Sequence, residues 1–351
     1  MEAQVIAALE VSDFKQVNRL LKKWQASEPS NPLLRLYAAQ LQEKTGRLEA
    51  AEKNYRALLK KMPGSKVVKQ ARAGIARIQA RQKADKAQAL NAAKQVSGGE
   101  DVALMAIASP KTDQHKDAIA NVSQVFNLDA YTARMKVPVQ GIRLHRVGPY
   151  GELSYFAKAL DKTPTLITKV HDIKNLQTFQ VSYFEALTPQ PIVICKNSEG
   201  QMGTISFDWR EVSGKVSGQL PIFEQVADIG NWGKTVHKEK VQDYAQVMDL
   251  HLPKRKIVLR LCDRLYQYTE GTALADTSEV NSRIKWNNLL KQISQSVKSP
   301  HYNEFKRFGK DALEFIRILP VIEPNLDIAR REPSHWDQVF HLYSSIYYFT
   351  L

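Results

Sequence analysis

The residues best equipped for chemistry gather around Asp249-x-His251, followed directly by Pro253-Lys254-Arg255-Lys256. An acid, an imidazole and three cations so close together could form an anion-binding corner, with Lys234, Lys238 and Lys240 nearby in sequence. Lys234, Lys238, Lys254, Arg255 and Lys256 are therefore the candidate anion-binding residues of the second half. The plainer reading is an exposed charged connection leading into a strand over 256–262, since charged loops are commonly just solvated. Cys262 stands beside Asp263, with His251 upstream. A thiol nucleophile, however, needs a positioned base and a lowered pKa, and nothing in the spacing supplies either. Both cysteines, Cys195 and Cys262, lie in apolar runs and read as buried structural thiols in a reducing compartment.

Other chemistries fare no better. The eight histidines and two cysteines include no H-x-x-x-H or C-x-x-C pair, so metal-ligand spacing is missing. Asp208, Glu211 and Asp243 likewise lack the spacing of a nuclease-type metal site. Val147-Gly148-Pro149-Tyr150-Gly151 sits between a strand and a helix, where phosphate loops occur. Pro149 removes one backbone donor and no Lys-Ser/Thr ending follows, so a simple turn into a helix is expected. No catalytic residue, metal or cofactor is expected from these patterns.

The charge is more informative. The 351 residues carry a formal +14, and Met1 to Ser97 alone hold nineteen Lys/Arg against eight Asp/Glu, a net +11. Between Lys60 and Lys94 there are ten Lys/Arg and one acid, Asp85. Such a field attracts a polyanion or an acidic surface. No apolar run approaches the ~20 residues needed to span a bilayer, and no signal or transit peptide is evident, so a cytoplasmic location is expected.

The elements that carry this charge follow a 34-residue echo. Phe14 and Leu48, Leu21 and Tyr55, Trp24 and Leu58, and Pro29 and Pro63 are each 34 apart. Helices are expected over 2–10 and 13–26, then over 32–45 and 48–61, with Gly46 in the tight turn between the latter two. A third element, over about 65–95, has Val67, Ala71, Ile75 and Ile78 as a packing stripe and Lys69, Arg72 and Lys83 on the opposite face. Past Ile78 the stripe fades, and the helix is expected to leave the body and stay solvated. Gly46, Ala51, Tyr55 and Pro63 have the mutual spacing of a tetratricopeptide repeat, and this first quarter of the chain resembles one, with a degenerate first copy. The resemblance implies a concave peptide- or protein-binding groove. Two repeats are fewer than the ~3 that usually bury a continuous core, so the third helix must cap them.

Ser97-Gly98-Gly99-Glu100 reads as a boundary. The expected organisation is α+β: tetratricopeptide-like hairpins with a long basic helix over 1–97, a linker with short helices over 98–140, and a mixed α/β domain over 141–351 ending in amphipathic helices. Alternation marks strands over 142–147, 165–170, 178–186, 192–196, 203–209 and 256–262, with a hairpin turn at Asn197-Ser198-Glu199-Gly200. Helices are expected over 113–126 and 150–160. Trp286, Leu289 and Ile293, Phe305, Phe308 and Ala312, and Trp336, Val339 and Phe340 mark three apolar helix faces. The segments Leu220-Pro221-Ile222-Phe223-Glu224, Asp249-Leu250-His251-Leu252-Pro253, Leu259-Arg260-Leu261-Cys262-Asp263 and Phe340-His341-Leu342-Tyr343-Ser344 are similar to a region of cyanobacterial tetratricopeptide-containing proteins of unassigned role. That resemblance implies no active site.

The functional expectation is a non-enzymatic adaptor or assembly factor. Arg35, Gln42, Asn54 and Arg56 on the repeats, with Lys69, Arg72, Arg77, Arg81 and Lys83 on the basic helix, would receive an acidic protein or peptide segment. The alternative is association with RNA or the ribosome through phosphates. The basic stretch lacks the interleaved aromatics typical of single-strand binders. It also lacks the large apolar face of membrane-surface helices, so contact with an anionic membrane surface would rest on charge alone.

Overall fold

The computed structural model describes residues 1–61, 66–229, 235–273, 281–330 and 332–351. The chain is α+β and divides into two compact units, Met1–Ala92 and Ala93–Leu351.

In the first unit α1 (Glu2–Glu10), α2 (Phe14–Ser27), α3 (Pro32–Lys44), α4 (Leu48–Lys61) and α5 (Lys66–Lys94) follow one another. Asp13 accepts from the Gln16 amide to cap α2, and Asn31 caps α3 ahead of Pro32. Val5, Leu9, Val17, Leu21 and Trp24 form one core with Tyr37 and Leu41. Leu36, Ala51, Tyr55 and Leu58 form the next with Ala71 and Ile78 of α5. Residues 34 apart thus do the same work: Leu21 and Tyr55 are both buried, as are Trp24 and Leu58. Pro63, the partner of Pro29 in that echo, lies outside the described residues.

The echo extends to the backbone. Ser12 and Gly46, also 34 apart, both have positive φ, +58° and +79°. A left-handed residue with a Cβ costs about 1–2 kcal/mol. A Cβ at Gly46 would meet nothing within 4 Å, so its replacement is penalised through the backbone alone. Gly46→Ala should lower the stability of this unit by about 1–2 kcal/mol. Ser12→Gly should raise it by about 0.5–1 kcal/mol. Urea titrations followed by helical circular dichroism would show the two opposite shifts.

The second unit begins before the expected boundary, and the segment over 98–140 is not a linker. It contains β1 (Val102–Ala108), the middle strand of a three-stranded antiparallel sheet with β2 (Ile142–Pro149) and β3 (Thr165–Lys169) in the order β2-β1-β3. Around this sheet come α6 (His115–Phe126), α7 (Ala130–Lys136), α8 (Tyr150–Ala159) and α9 (Val170–Asn175).

The larger sheet has seven strands: β4 (Gln177–Ala186), β5 (Ile192–Lys196), β6 (Met202–Ser206), β7 (Gly214–Ile229), β8 (Thr235–Leu252), β9 (Ile257–Cys262) and β10 (His301–Tyr302). Their order is β10-β7-β8-β9-β4-β5-β6. Strands β7 and β8 form a long antiparallel ribbon, from Gly214 opposite His251 to Ile229 opposite Thr235. Sequence alternation does not announce this ribbon, because its strands are rich in polar residues.

Helices cover both faces of the sheet, and strand alternation decides which side chain goes where. Val216, Leu220, Val247 and Cys262 share a core with Phe305 and Phe308 of α11 (Phe305–Ile316) and with Phe340 and Tyr343 of α12 (His335–Tyr348). Met248, Leu250, Leu259 and Leu261 point the other way, to Trp286, Leu289 and Ile293 of α10 (Ser282–Ser296). Among the described residues no helix is long and apolar enough to cross a membrane.

Candidate functional site

Helix α5 buries Val68, Ala71, Gly74 and Ile78 on one stripe. At ~100° per residue, Lys69, Arg72 and Lys83 fall within about 60° of arc on one flank of that stripe. All three are exposed, and every residue from 79 to 88 is exposed as well. Arg77 leaves from the other flank of the stripe and is held there. Its Nε and Nη2 donate to the two carboxylate oxygens of Glu43 at 2.8 and 2.9 Å, and the Tyr55 hydroxyl donates to the same carboxylate at 2.7 Å. Burial, followed by the bond to Glu43, pushes the Tyr55 hydroxyl far above its usual range. Arg77 is thus a clasp between α5 and α3. Arg81 lies 3.9 Å from Asp85.

The four residues expected on the repeats do not form one patch. Asn54 Nδ2 donates to Gln42 Oε1 at 2.9 Å, a clasp joining α4 to α3. Arg56 lies two residues beyond Asn54, about 200° around the helix, and pairs with Glu52 at 2.6 Å instead. Arg35 is exposed on α3. Spacing along the chain had grouped them, but helical geometry separates Arg56 from the pair.

The anion-binding corner of the second half is corrected more sharply. Asp249 and His251 belong to β8, and both are fully buried, so neither lies in an exposed connection. Arg255 donates to both carboxylate oxygens of Glu211, at 2.6 and 2.7 Å, and to the Ser206 carbonyl at 2.7 Å. It fastens the turn Pro253–Arg255 to the sheet. Lys256 ends that turn at φ +59° and, like Lys254, is exposed. Lys234 lies outside the described residues, and so does the side chain of Lys238. The scattered carboxylates are similarly engaged: Asp208 caps a turn and pairs with Arg210, and Asp243 pairs with Arg264.

Asp249 and His251 instead form a buried ionic cluster whose other members the sequence reading missed. Arg260 Nε and Nη2 donate to the Asp249 carboxylate at 2.8 and 2.6 Å. Ser344 of α12 donates to Asp249 Oδ2 at 2.5 Å, and His251 Nε2 lies 2.9 Å from the same hydroxyl. Burial works to raise the Asp249 carboxyl, but the charge and hydrogen bonds of Arg260, with Ser344, leave it lowered. Since the Ser344 hydroxyl donates to Asp249, His251 must donate from Nε2, which leaves its buried Nδ1 without a proton and, among the described residues, without a partner. Burial accordingly pushes His251 down to about 4. His341 Nδ1 lies 3.3 Å from Arg260 Nη2, an obligate donor, and burial pushes His341 down to about 3.

A serine, a histidine and an aspartate in mutual contact invite comparison with a hydrolytic triad. The connectivity differs. In a triad the carboxylate holds the imidazole and the imidazole takes the serine proton, whereas here the Ser344 hydroxyl donates its hydrogen bond to Asp249 itself. Ser344 is 1% exposed and His251 0%, so no substrate reaches either. The signal that could have revealed this cluster is Arg260, a charge within the otherwise apolar strand Ile257–Cys262.

Neither cysteine is poised to react. Burial pushes the Cys195 thiol up to about 11 and the Cys262 thiol up to about 12. At the turn into α8, the Tyr150 amide donates to the Asp101 carbonyl and the Gly151 amide to the Gly99 carbonyl, both at 2.8 Å. These donors, which a phosphate would need, are already used by the chain.

No family model, no curated protein and no solved structure matches the chain.

Proposed function

We propose that the protein is a non-enzymatic adaptor or assembly factor that binds an acidic protein segment along the exposed side of α5. The observation that carries this reading is the sector formed by Lys69, Arg72 and Lys83. It is cationic, exposed, and continues into a stretch of helix with no buried residue from 79 to 88. A helix that presents charge without an apolar seam is suited to steering and holding an anionic partner. The absence of aromatics on this helix favours a protein segment over stacked nucleic-acid bases. On the same view the Arg77–Glu43–Tyr55 and Gln42–Asn54 clasps keep the helices rigid beneath the binding face.

The test is a pull-down comparing the wild-type chain with Lys69→Glu/Arg72→Glu/Lys83→Glu. Among the described residues these three side chains take no part in the clasps that join the helices, so the fold should survive. Loss of the partner by about tenfold or more is expected. Undiminished retention of the same partner would exclude the helix as the docking element.

A further inference from the structure

The second unit holds a cavity of about 950 Å³ between the β5–β6 turn and the chain that runs from α11 to α12. Its floor is the outer end of a polar row that crosses the sheet. Asp249 stands opposite Arg260, Arg260 opposite Gln180, and Gln180 opposite Lys196. Directly opposed residues share a face of the sheet, so the row runs from the buried ionic cluster outward. The inner pair, Asp249 and Arg260, satisfy one another. The outer pair, Gln180 and Lys196, line the cavity.

Among the described residues, two groups there are left with unused hydrogen-bonding capacity. Gln180 is 5% exposed, and its buried Oε1 has no partner. Arg330, with a side chain 6% exposed, gives both of its bonds to Asp337 from Nη2, while its buried Nη1 has none. Leaving a buried polar group unmatched is destabilising, so an acceptor and a cationic donor lining one cavity form a matched demand. A ligand must bring an N–H for Gln180 and an anionic oxygen for Arg330, which Lys196 would also attract. Glu199, Glu323 and Asp327 add exposed carboxylates around the opening and favour a positive charge further out on the same ligand.

We propose that this cavity binds a short peptide with a free terminal carboxylate and a basic side chain. The carboxylate would meet Arg330 and Lys196, a backbone N–H would meet Gln180, and the basic group would meet the outer acids. The volume is near the upper end of the usual 300–1,000 Å³ for a ligand pocket, which suits several residues better than a single amino acid. The inference goes beyond the adaptor reading and depends on no residue of α5.

Affinity selection with the full chain tests it, using a mixed tetrapeptide library with free carboxyl ends and the same library amidated. The expected result is selective retention of free-acid peptides enriched in Lys and Arg, with amidated counterparts at least tenfold weaker. Gln180→Met keeps the side-chain length and removes the unmatched acceptor. It should weaken retention at least fivefold while leaving the thermal midpoint of the unliganded protein unchanged or higher. Lys196→Met, at the cavity floor, should also weaken it. Retention of neither library, equal retention of both, or unchanged retention by Gln180→Met would each overturn the proposal, the last by assigning Gln180 a purely structural role.

Discussion

Replacing Asp249 with alanine is expected to destabilise the second unit by about 3–5 kcal/mol, because it strands Arg260 as an unpaired charge in the interior. Arg260 is 1% exposed at its side chain and Asp249 0%, so water cannot substitute for the lost carboxylate. The change also takes away the acceptor of the Ser344 hydroxyl, and with it the reason for the His251 tautomer. A double replacement, Asp249→Leu with Arg260→Met, should recover part of the loss, since apolar residues of similar volume are often as stable as a buried ion pair. Recovery should fall short of complete, because Arg260 also donates to the Pro324 carbonyl and faces His341 Nδ1. Urea denaturation of the single and double variants measures both effects. A loss below about 1 kcal/mol for Asp249→Ala would show that the pair is not isolated from solvent.

The same interior makes the second unit sensitive to acid. Burial lowers His145, His251 and His341 from the ordinary 6.5 to about 4, about 4 and about 3. For His145 the positive charges of Lys136, Arg146 and Arg143 add to the burial. A histidine whose folded pKa lies below its unfolded value binds its proton more readily in the unfolded chain. Stability from all three is therefore present above pH 6.5 and is lost as pH falls toward 4. Each proton taken up on unfolding contributes about 1.4 kcal/mol per pH unit, so the combined slope in the middle of that window should approach ~4 kcal/mol per pH unit. Asp249, with its lowered carboxyl pKa, adds a further loss only at lower pH. Urea midpoints measured from pH 7 to pH 4 give the slope directly. An uptake of less than one proton on unfolding would mean that these imidazoles are solvated in the folded state.

The helical unit was largely legible from the sequence. Its apolar residues recur at helical spacing, and the 34-residue echo placed Leu21 with Tyr55 and Trp24 with Leu58 in equivalent buried positions. The second unit was legible where strands alternate and where apolar residues recur at helical spacing, as in α6, α8, α10, α11 and α12. β1 escaped because a middle strand buried on both faces reads as the unbroken apolar run Val102–Ala108. The ribbon of β7 and β8 escaped for the opposite reason, its polar strands resembling charged loop. Asp249 and His251 were misjudged because their partners lie far along the chain: Ser344 is 95 residues from Asp249, and no local pattern points to it. On α5 the exposed cations were legible from periodicity. The commitment of Arg77 to Glu43, 34 residues away, was not.

The exposed side of α5 is expected to hold an acidic protein segment. The most direct measurement is affinity purification of the tagged 351-residue chain, with and without nuclease, alongside the Lys69→Glu/Arg72→Glu/Lys83→Glu variant, with cross-linking to locate the contact. The expected result is a nuclease-resistant protein partner, cross-linked to α5 through an acidic segment and lost from the variant. Partners that disappear on nuclease treatment would point instead to nucleic acid held through its phosphates. Partners retained equally by the variant would show that α5 does not hold them.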